Sequence, residues 1–219
     1  MKKTVLVLIL GIVLLAVSNI SLAQEPKSIQ LLKPQIGNAN FLMQALWKRM
    51  SSREFSPEPL PLEVLSNLLW AGFGINRSNG ERTAPSAMNW QDTDIYVILP
   101  DGLYLYDAKA SQLKLMLAQD LRGLAGTQDY VKEAPVNLIY VCDYAKMRAP
   151  DEVKPLLPVL SGVHAGVMAE NIYLYCASEG LATVVRAMID YPALAKAMQL
   201  RPDQKITLAQ SVGYPRKTP

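Results

Sequence analysis

Histidine and cysteine are scarce in this 219-residue chain, which has one histidine and two cysteines. So few imidazole and thiol groups argue against a zinc or haem site and against a fold held by several disulfides. The sequence also lacks a P-loop, a G-x-S-x-G segment and an H-E-x-x-H segment. Catalysis by a protein nucleophile is therefore poorly supported, whereas chemistry carried by a bound cofactor remains possible.

The histidine and the cysteines lie in surroundings that favour structural roles. Cys142 falls in an apolar strand-like run and Cys176 in an apolar helix-like one. We therefore expect two buried free thiols, although an oxidising compartment would allow the two to pair. His164 lies near the start of a helix of small residues, where a packed or capping histidine is the simplest interpretation.

The first 23 residues have the organisation of a secretory signal peptide. Lys2 and Lys3 precede an uncharged segment whose apolar centre is the short run 5–17, and Ser21-Leu22-Ala23 offers small residues for signal peptidase. A bilayer span needs about 20 apolar residues, and this run is shorter. We expect a cleaved signal, export to the periplasm or the exterior, and no membrane span afterwards; an uncleaved N-terminal anchor is the alternative.

The net charge of the remaining 196 residues is close to zero. The whole chain has 22 basic and 19 acidic residues, and the leader removes two lysines, so the net charge falls from +3 to +1. A chain this close to neutral gives no reason to expect binding to nucleic acid or to an anionic membrane surface.

Hydrophobic periodicity predicts a polar, flexible arm at 24–39 and one mixed domain at 40–219. Helices are expected at 40–50, from Pro61, at 118–123, at 161–178 and from Pro192 to about Gln199. Strands are expected at 94–99, 103–106, 113–115, 136–141, 183–185 and 205–212. Closely spaced strands with turn signals such as Pro100-Asp101-Gly102 favour hairpins. The predicted class is α+β, with a mainly antiparallel sheet flanked by helices.

Three segments combine residues that suit a phosphate-bearing planar ligand. Arg49-Met50-Ser51-Ser52-Arg53 places two guanidinium groups and two hydroxyls at a helix end, where they would suit a phosphate. A small polar loop at 82–91 offers backbone and amide groups to a flat ring, and a helix ends at the glycine of the 177–183 segment. Each has an ordinary structural alternative: a solvated helix end, a turn and a plain C-cap.

These segments, in this order, resemble the signatures of the nitroreductase family of FMN flavoproteins. The similar stretches are Arg49-x-Ser51-x-Arg53-x-Phe55, Pro85-Ser86-Ala87-x-Asn89-x-Gln91, Gly180-Leu181-Ala182-Thr183 and Val212-Gly213-Tyr214-Pro215. Ala182 departs from the second glycine of the family's G-L-G-T turn. The likeness runs from about residue 40 to 217, and the 69–77 and 101–106 segments further resemble the branch that contains azoline oxidases.

The resemblance implies where FMN would bind. Arg49, Ser51 and Arg53, with the backbone of Met50, would hold the phosphate and ribityl chain, and Arg216, with Lys217, would complete the phosphate site. The isoalloxazine would meet two further groups of residues. They are Pro85, Ser86, Ala87 and Asn89 from the other subunit, and Glu179, Gly180 and Leu181 through their backbone.

The resemblance also implies an intertwined homodimer with FMN at the interface and no catalytic side chain, because the flavin carries the chemistry. The expected activity is ping-pong hydride transfer from NADH, NADPH or another donor to a nitroaromatic, quinone or related small-molecule acceptor. Two alternatives remain open: an azoline- or peptide-type dehydrogenase that passes electrons to oxygen, and a secreted flavin-binding protein without turnover.

Overall fold

The computed structural model describes residues 32–34, 36–37 and 40–217. The chain separates into two compact units, residues 1–35 and 36–219, and the architecture below is that of the second. The expected signal peptide at 1–23 lies outside the described residues, as does most of the expected arm at 24–39.

Five α-helices and six strands make up the described part of the second unit. The helices are α1 (Phe41–Lys48), α2 (Leu62–Phe73), α3 (Tyr130–Glu133), α4 (Leu157–Glu179) and α5 (Tyr191–Ala197). The strands are β1 (Thr93–Leu99), β2 (Gly102–Asp107), β3 (Gln112–Leu117), β4 (Val136–Asp143), β5 (Ala182–Arg186) and β6 (Gln204–Gly213). Short 3₁₀ turns connect several of these elements.

The six strands form one sheet in the order β3-β2-β1-β4-β6-β5, with every neighbouring pair antiparallel. β4 is central and buried along its whole length, because helices cover both faces of the sheet. The expected α+β class with a mainly antiparallel sheet is therefore confirmed.

Alternate residues of β4 serve the two faces of the sheet, as strand geometry requires. Leu138 and Tyr140 belong to the cluster that contains α2 and α4, whereas Ile139 and Val141 belong to the cluster that contains α5. The long helix α4 therefore packs on one face and the shorter α3 and α5 on the other. The candidate site residues lie near the two ends of α4.

Two predicted helices differ from the observed ones. α4 begins at Leu157, one turn before the predicted Ser161, because Pro158 occupies a first-turn position where a missing N–H costs no hydrogen bond. The helix predicted at 118–123 is wrong. β3 continues to Leu117, and only a 3₁₀ turn, Arg122–Leu124, follows. Asp120 accepts a hydrogen bond from the Arg122 backbone N–H at 3.0 Å, which favours a turn there.

Both cysteines are buried free thiols, as expected. Burial raises the pKa of the Cys176 thiol far above its ordinary value, so this group stays protonated at neutral pH. No helix among the described residues is both long and apolar enough to cross a bilayer.

Candidate functional site

The segment that follows α1 contacts α4 through a single tyrosine. The guanidinium carbon of Arg49 lies 5.2 Å from the ring centroid of Tyr173, which is the range of a cation–π contact. Ser51 Oγ is 2.8 Å from the Tyr173 hydroxyl, and the same hydroxyl accepts the Val185 backbone N–H at 2.9 Å. Tyr173 therefore ties this segment to α4 and to the free edge of β5.

Backbone hydrogen bonds bring the N-terminal segment to the C-terminal one. The Ser52 N–H donates to the Thr183 carbonyl at 2.9 Å, and the Ser56 N–H donates to the Tyr214 carbonyl at 2.8 Å. Phe55, between these two bonds, forms an isolated β-bridge with Pro215. Three of the four sequence motifs thus meet in one place within a single chain.

The arginines of this cluster differ in how far they are neutralised. Among the described residues, no carboxylate forms an ion pair with Arg49 or Arg53. Arg216 forms an exposed ion pair with Glu133 at 2.6 Å and donates to the Phe55 carbonyl at 3.3 Å. Lys217 is exposed. Because exposed ion pairs contribute about 0–1 kcal/mol, Glu133 is a weak competitor for an arriving phosphate.

Helix α4 ends beside this cluster at a left-handed glycine. Gly180 has a φ of +69°, and the Leu181 N–H donates to the Cys176 carbonyl at 2.9 Å. Glu179 and Gly180 are exposed, and Leu181 is half-buried. An open cavity of about 520 Å³ lies here, lined by Ser56, Pro57, Glu58, Gly180, Tyr214, Pro215, Arg216 and Lys217. The helix end and the C-terminal cations therefore face one space.

The remaining motif, the second in sequence order, lies in the short Ser86–Gln91 loop. The backbone conformation of this loop is uncommon. Met88, Asn89 and Gln91 have φ values of +51°, +52° and +48°. The Ser86 hydroxyl accepts the Gln91 N–H at 2.9 Å and closes the loop. Gln91 also accepts from Arg82 Nε at 2.9 Å. Three non-glycine residues with positive φ within four positions are costly, and such strain concentrates at functional sites.

The loop and the N-terminal cluster contact different sides of α4. The Ala87 N–H donates to His164 Nε2 at 2.9 Å, whereas Arg49 and Ser51 contact Tyr173. His164 and Tyr173 are nine residues apart on one helix. Nine residues make about two and a half turns and about 14 Å of rise, so the two side chains leave the helix in opposite directions. Within one chain, the two groups of predicted site residues are not brought together.

Tyr173 and His164 contact the predicted site residues, and the sequence analysis assigned neither of them to the site. A tyrosine inside a long apolar helix has no motif of its own. His164 was expected to be packed or capping, and its burial agrees with the first of these. The sequence could not reveal the groups that contact the imidazole. These are the Ala87 backbone N–H, 77 residues away in the chain, and the carboxylate of Asp92.

Two further polar residues, Asn137 and Gln128, lie near a buried arginine or the loop that it contacts. Asn137 Oδ1 accepts from Arg186 at 2.8 Å, and Arg186 also donates to the Ala125 carbonyl at 3.0 Å. Burial lowers the pKa of Arg186 to about 10. Gln128 follows the same loop in sequence. This network ties β4, β5 and β6 to that loop, so its role is structural.

Comparison with known proteins gives a consistent family. The family model described as the nitroreductase family matches residues 46–214. A protein of Methanocaldococcus jannaschii that is named as a nitroreductase is 31% identical over 153 residues, which cover 65% of this chain and 76% of that protein. The chain therefore belongs to the nitroreductase family.

Solved structures show the same fold. A protein of Ralstonia eutropha JMP134, also named as a nitroreductase, is 44% identical with a TM-score of 0.76, and the match covers 86% of this chain and 89% of that one. A chain of the E. coli microcin synthetase complex aligns with a TM-score of 0.66 at 15% identity, covering 93% and 81%. The second likeness is one of fold alone.

Proposed function

We propose that this protein is an FMN-dependent oxidoreductase that transfers hydride between small molecules. Membership of the nitroreductase family supports a flavin-dependent oxidoreductase in general terms. The observation that carries the cofactor assignment is the pair of arginines, Arg49 and Arg53, which lack a carboxylate partner among the described residues and flank the exposed Ser51.

The residues present fit a flavin phosphate. Guanidinium groups bind phosphate through paired N–H donors, and such charge-assisted hydrogen bonds are roughly twice as strong as neutral ones. Arg49 lies against the ring of Tyr173. Arg53, Arg216 and Lys217 are exposed around the same cluster. A dianionic phosphate would therefore meet several cations here, with Glu133 and Glu58 as acidic neighbours.

The isoalloxazine would lie between the end of α4 and a Ser86–Gln91 loop. Glu179, Gly180 and Leu181 would offer backbone carbonyl groups, because the last turn of a helix leaves its C=O groups without intrahelical partners. The N–H groups of Gly180 and Leu181 already donate to the Cys176 carbonyl. Pro85, Ser86, Ala87 and Asn89 would contact the ring from the loop. Since one chain separates these two groups, the loop would come from a second subunit.

When bound, FMN would supply hydride acceptance and hydride donation, which is why the chain needs no nucleophile of its own. The protein would orient the ring, exclude water from one face and present N–H groups to the charge that develops on reduction. NADH or NADPH is the proposed donor and a nitroaromatic or quinone the proposed acceptor, in a ping-pong sequence.

A homodimer follows from the surface of α4 as well as from the site. Val159 and Val163 of α4 are 64% and 53% exposed, and Leu156, the residue before the helix, is 53% exposed. Phe41 and Trp47 of α1 are also largely exposed. A helix that is apolar on both sides is normally buried on both. A second copy of this chain would cover these residues and complete the flavin site.

The visible absorption spectrum of the purified full chain, with anaerobic NADH and NADPH titration, tests the proposal. We expect a flavin spectrum, bleaching by at least one nicotinamide, and recovery on addition of a quinone or nitroaromatic. A colourless protein that takes up no added FMN contradicts the cofactor assignment. Bleaching only by an azoline or peptide substrate, with oxygen as acceptor, supports the dehydrogenase alternative, and a flavin that no donor bleaches supports a binding protein.

The phosphate assignment predicts the effect of removing its arginines. Arg49→Ala and Arg53→Ala together should raise the FMN dissociation constant at least a hundredfold, because each charge-assisted hydrogen bond contributes about 1.5–3 kcal/mol. Fluorescence quenching of FMN by the apoprotein measures the constant. Lys48→Ala removes an exposed neighbouring charge and should change it less than threefold. Unchanged affinity in the double variant would overturn the phosphate assignment.

We also propose that the protein is exported, on the strength of the 1–23 segment alone. Export in an unfolded form would require FMN to be acquired outside the cytoplasm. Fractionation of the source cells with an antibody against the protein tests this, and a mass lowered by the 23 leader residues distinguishes a cleaved signal from a retained anchor.

A further inference from the structure

The one histidine of the chain occupies a buried position between the Ser86–Gln91 loop and a carboxylate. His164 is 3% exposed, and its Nε2 accepts the Ala87 backbone N–H at 2.9 Å. A backbone N–H can only donate a hydrogen bond, so Nε2 must present its lone pair. The proton of a neutral imidazole must then be on Nδ1.

The buried carboxylate of Asp92 lies against the other side of the ring. Its Oδ1 is 2.8 Å from His164 Nδ1, and the two atoms do not have the geometry of a hydrogen bond. Its Oδ2 is 3.1 Å from both the Thr93 hydroxyl and the Cys142 thiol. Burial, and then the hydrogen bond to Asp92, raises the pKa of Cys142, so the thiol remains a donor. Asp92 therefore accepts two hydrogen bonds at Oδ2 and presents Oδ1 to Nδ1, whereas the tautomer follows from the Ala87 N–H at Nε2.

The loop that His164 contacts has an unfavourable conformation of its own. Met88, Asn89 and Gln91 all have positive φ, a region that side chains such as those of Met88 and Gln91 rarely adopt. The Ala87 amide immediately precedes the first of them. A hydrogen bond at this amide from the buried side of the loop is well placed to hold the next two residues in the left-handed region.

We propose that His164 is a positioning residue for the flavin site: its Nε2 accepts the Ala87 N–H and so holds the Ser86–Gln91 loop in the shape that contacts the flavin ring, while the buried Asp92 carboxylate lies against Nδ1. This inference rests on the proposed function, because the loop is the part of the chain assigned to the isoalloxazine. His164 itself would touch neither flavin nor substrate and would act through the loop.

The tautomer can be measured on the unaltered full chain, prepared without a histidine tag, with or without flavin. Because the sequence has one histidine, long-range ¹H–¹⁵N correlation NMR at neutral pH yields one set of imidazole signals. We expect the Nδ1–H tautomer. An Nε2–H tautomer or a doubly protonated ring overturns the proposal, whatever the fate of the flavin assignment.

Two variants separate positioning from simple space filling. The amide of His164→Gln places a carbonyl acceptor at about the reach of Nε2, whereas the shorter amide of His164→Asn ends at about the reach of Nδ1 and cannot bring its carbonyl to the Ala87 N–H. His164→Asn should speed hydrogen exchange of the Ala87 amide at least tenfold and raise the FMN dissociation constant at least tenfold. In His164→Gln, the exchange rate and the dissociation constant should both remain within threefold of their values in the unaltered protein.

The thermal midpoint of each apoprotein is the control for folding. A role limited to packing predicts that the two variants lose affinity in parallel with their midpoints, and that result overturns the proposal. If the unaltered protein binds no FMN, the exchange rates still decide the positioning role, because they need no flavin. Equal exchange at Ala87 in His164→Asn and in the unaltered chain also overturns it, and a variant that does not fold leaves the tautomer as the deciding measurement.

Discussion

Phe55 shows how one residue of a family sequence motif can have a structural role. Its side chain has no exposed surface and packs with Ala134, Ala182 and Val184, and its ring centroid lies 6.1 Å from that of Tyr130. The residues around it in the chain, Arg53 and Ser56, remain near the surface. The aromatic ring therefore anchors the segment so that its arginines and hydroxyls stay in a fixed place.

At this scale the structure predicts a large effect of truncating Phe55. Phe55→Ala should lower the free energy of unfolding by about 3–5 kcal/mol, because a buried aromatic ring would leave a cavity. Phe55→Leu keeps most of the volume and should cost less than about 1.5 kcal/mol. Urea unfolding monitored by circular dichroism measures both. Equal losses in the two variants would show that packing volume is not what Phe55 contributes.

Helix α4 organises the site at the scale of elements. It contacts the loop through His164, the N-terminal cluster through Tyr173 and the C-terminal cavity through Gly180. Most of its sheet-facing residues are small or flexible, such as Ala165, Met168 and Ala169. One rigid element thus sets the relative positions of groups that lie far apart in the sequence.

The glycine at the end of α4 gives a prediction about the free energy of unfolding. Its control, a second glycine substitution in the same helix, should change that free energy in the opposite direction. Gly180→Ala should lower the free energy of unfolding by about 1–2 kcal/mol, because φ is +69° there and an alanine side chain is strained in that region. Gly162 lies inside the same helix with no heavy atom within 4 Å of an added Cβ. Gly162→Ala should therefore stabilise the protein by about 0.5–1 kcal/mol. Destabilisation by both substitutions would contradict this account of Gly180.

At the scale of the whole molecule, the proposed site requires a second copy of the chain. The Ser86–Gln91 loop and the Arg49–Arg53 segment lie on opposite sides of α4, and the first turns of α4 expose the apolar residues Val159 and Val163. Both facts are explained if two chains pack through α4, since each would then bring its loop to the other's arginine cluster. Association and cofactor binding should therefore be lost together.

A charge on the outer side of α4 tests that coupling. Val163→Asp should convert the protein to a monomer and abolish retention of FMN, because an unpaired carboxylate would be buried in an apolar interface. Gln199→Asp adds the same charge at an exposed position after α5 and should change neither property. Sedimentation and the flavin spectrum measure the two. A monomer that retains FMN with unchanged affinity would refute the shared site.

The sequence by itself determined the class of fold and the identity of the motifs. Short-range signals suffice for these: the apolar run 136–141 became the central strand, and Gly180 ends α4 where a glycine stop was expected. The prediction treated Pro158 as a barrier to helix formation and therefore began α4 one turn too late. Local rules tolerate a first-turn proline, and only the three-dimensional structure shows that the helix begins at Leu157 and includes Pro158.

Only the tertiary structure decided which of the predicted residues share a location. Arg49, Gly180 and Arg216 are far apart in the chain and meet because β5 and β6 pair and the 49–56 segment hydrogen-bonds beside both. The Ser86–Gln91 loop is held elsewhere, by His164 and Asp92. Such partners are set by side-chain packing and buried hydrogen bonds between distant segments, and no periodicity or local propensity contains that information.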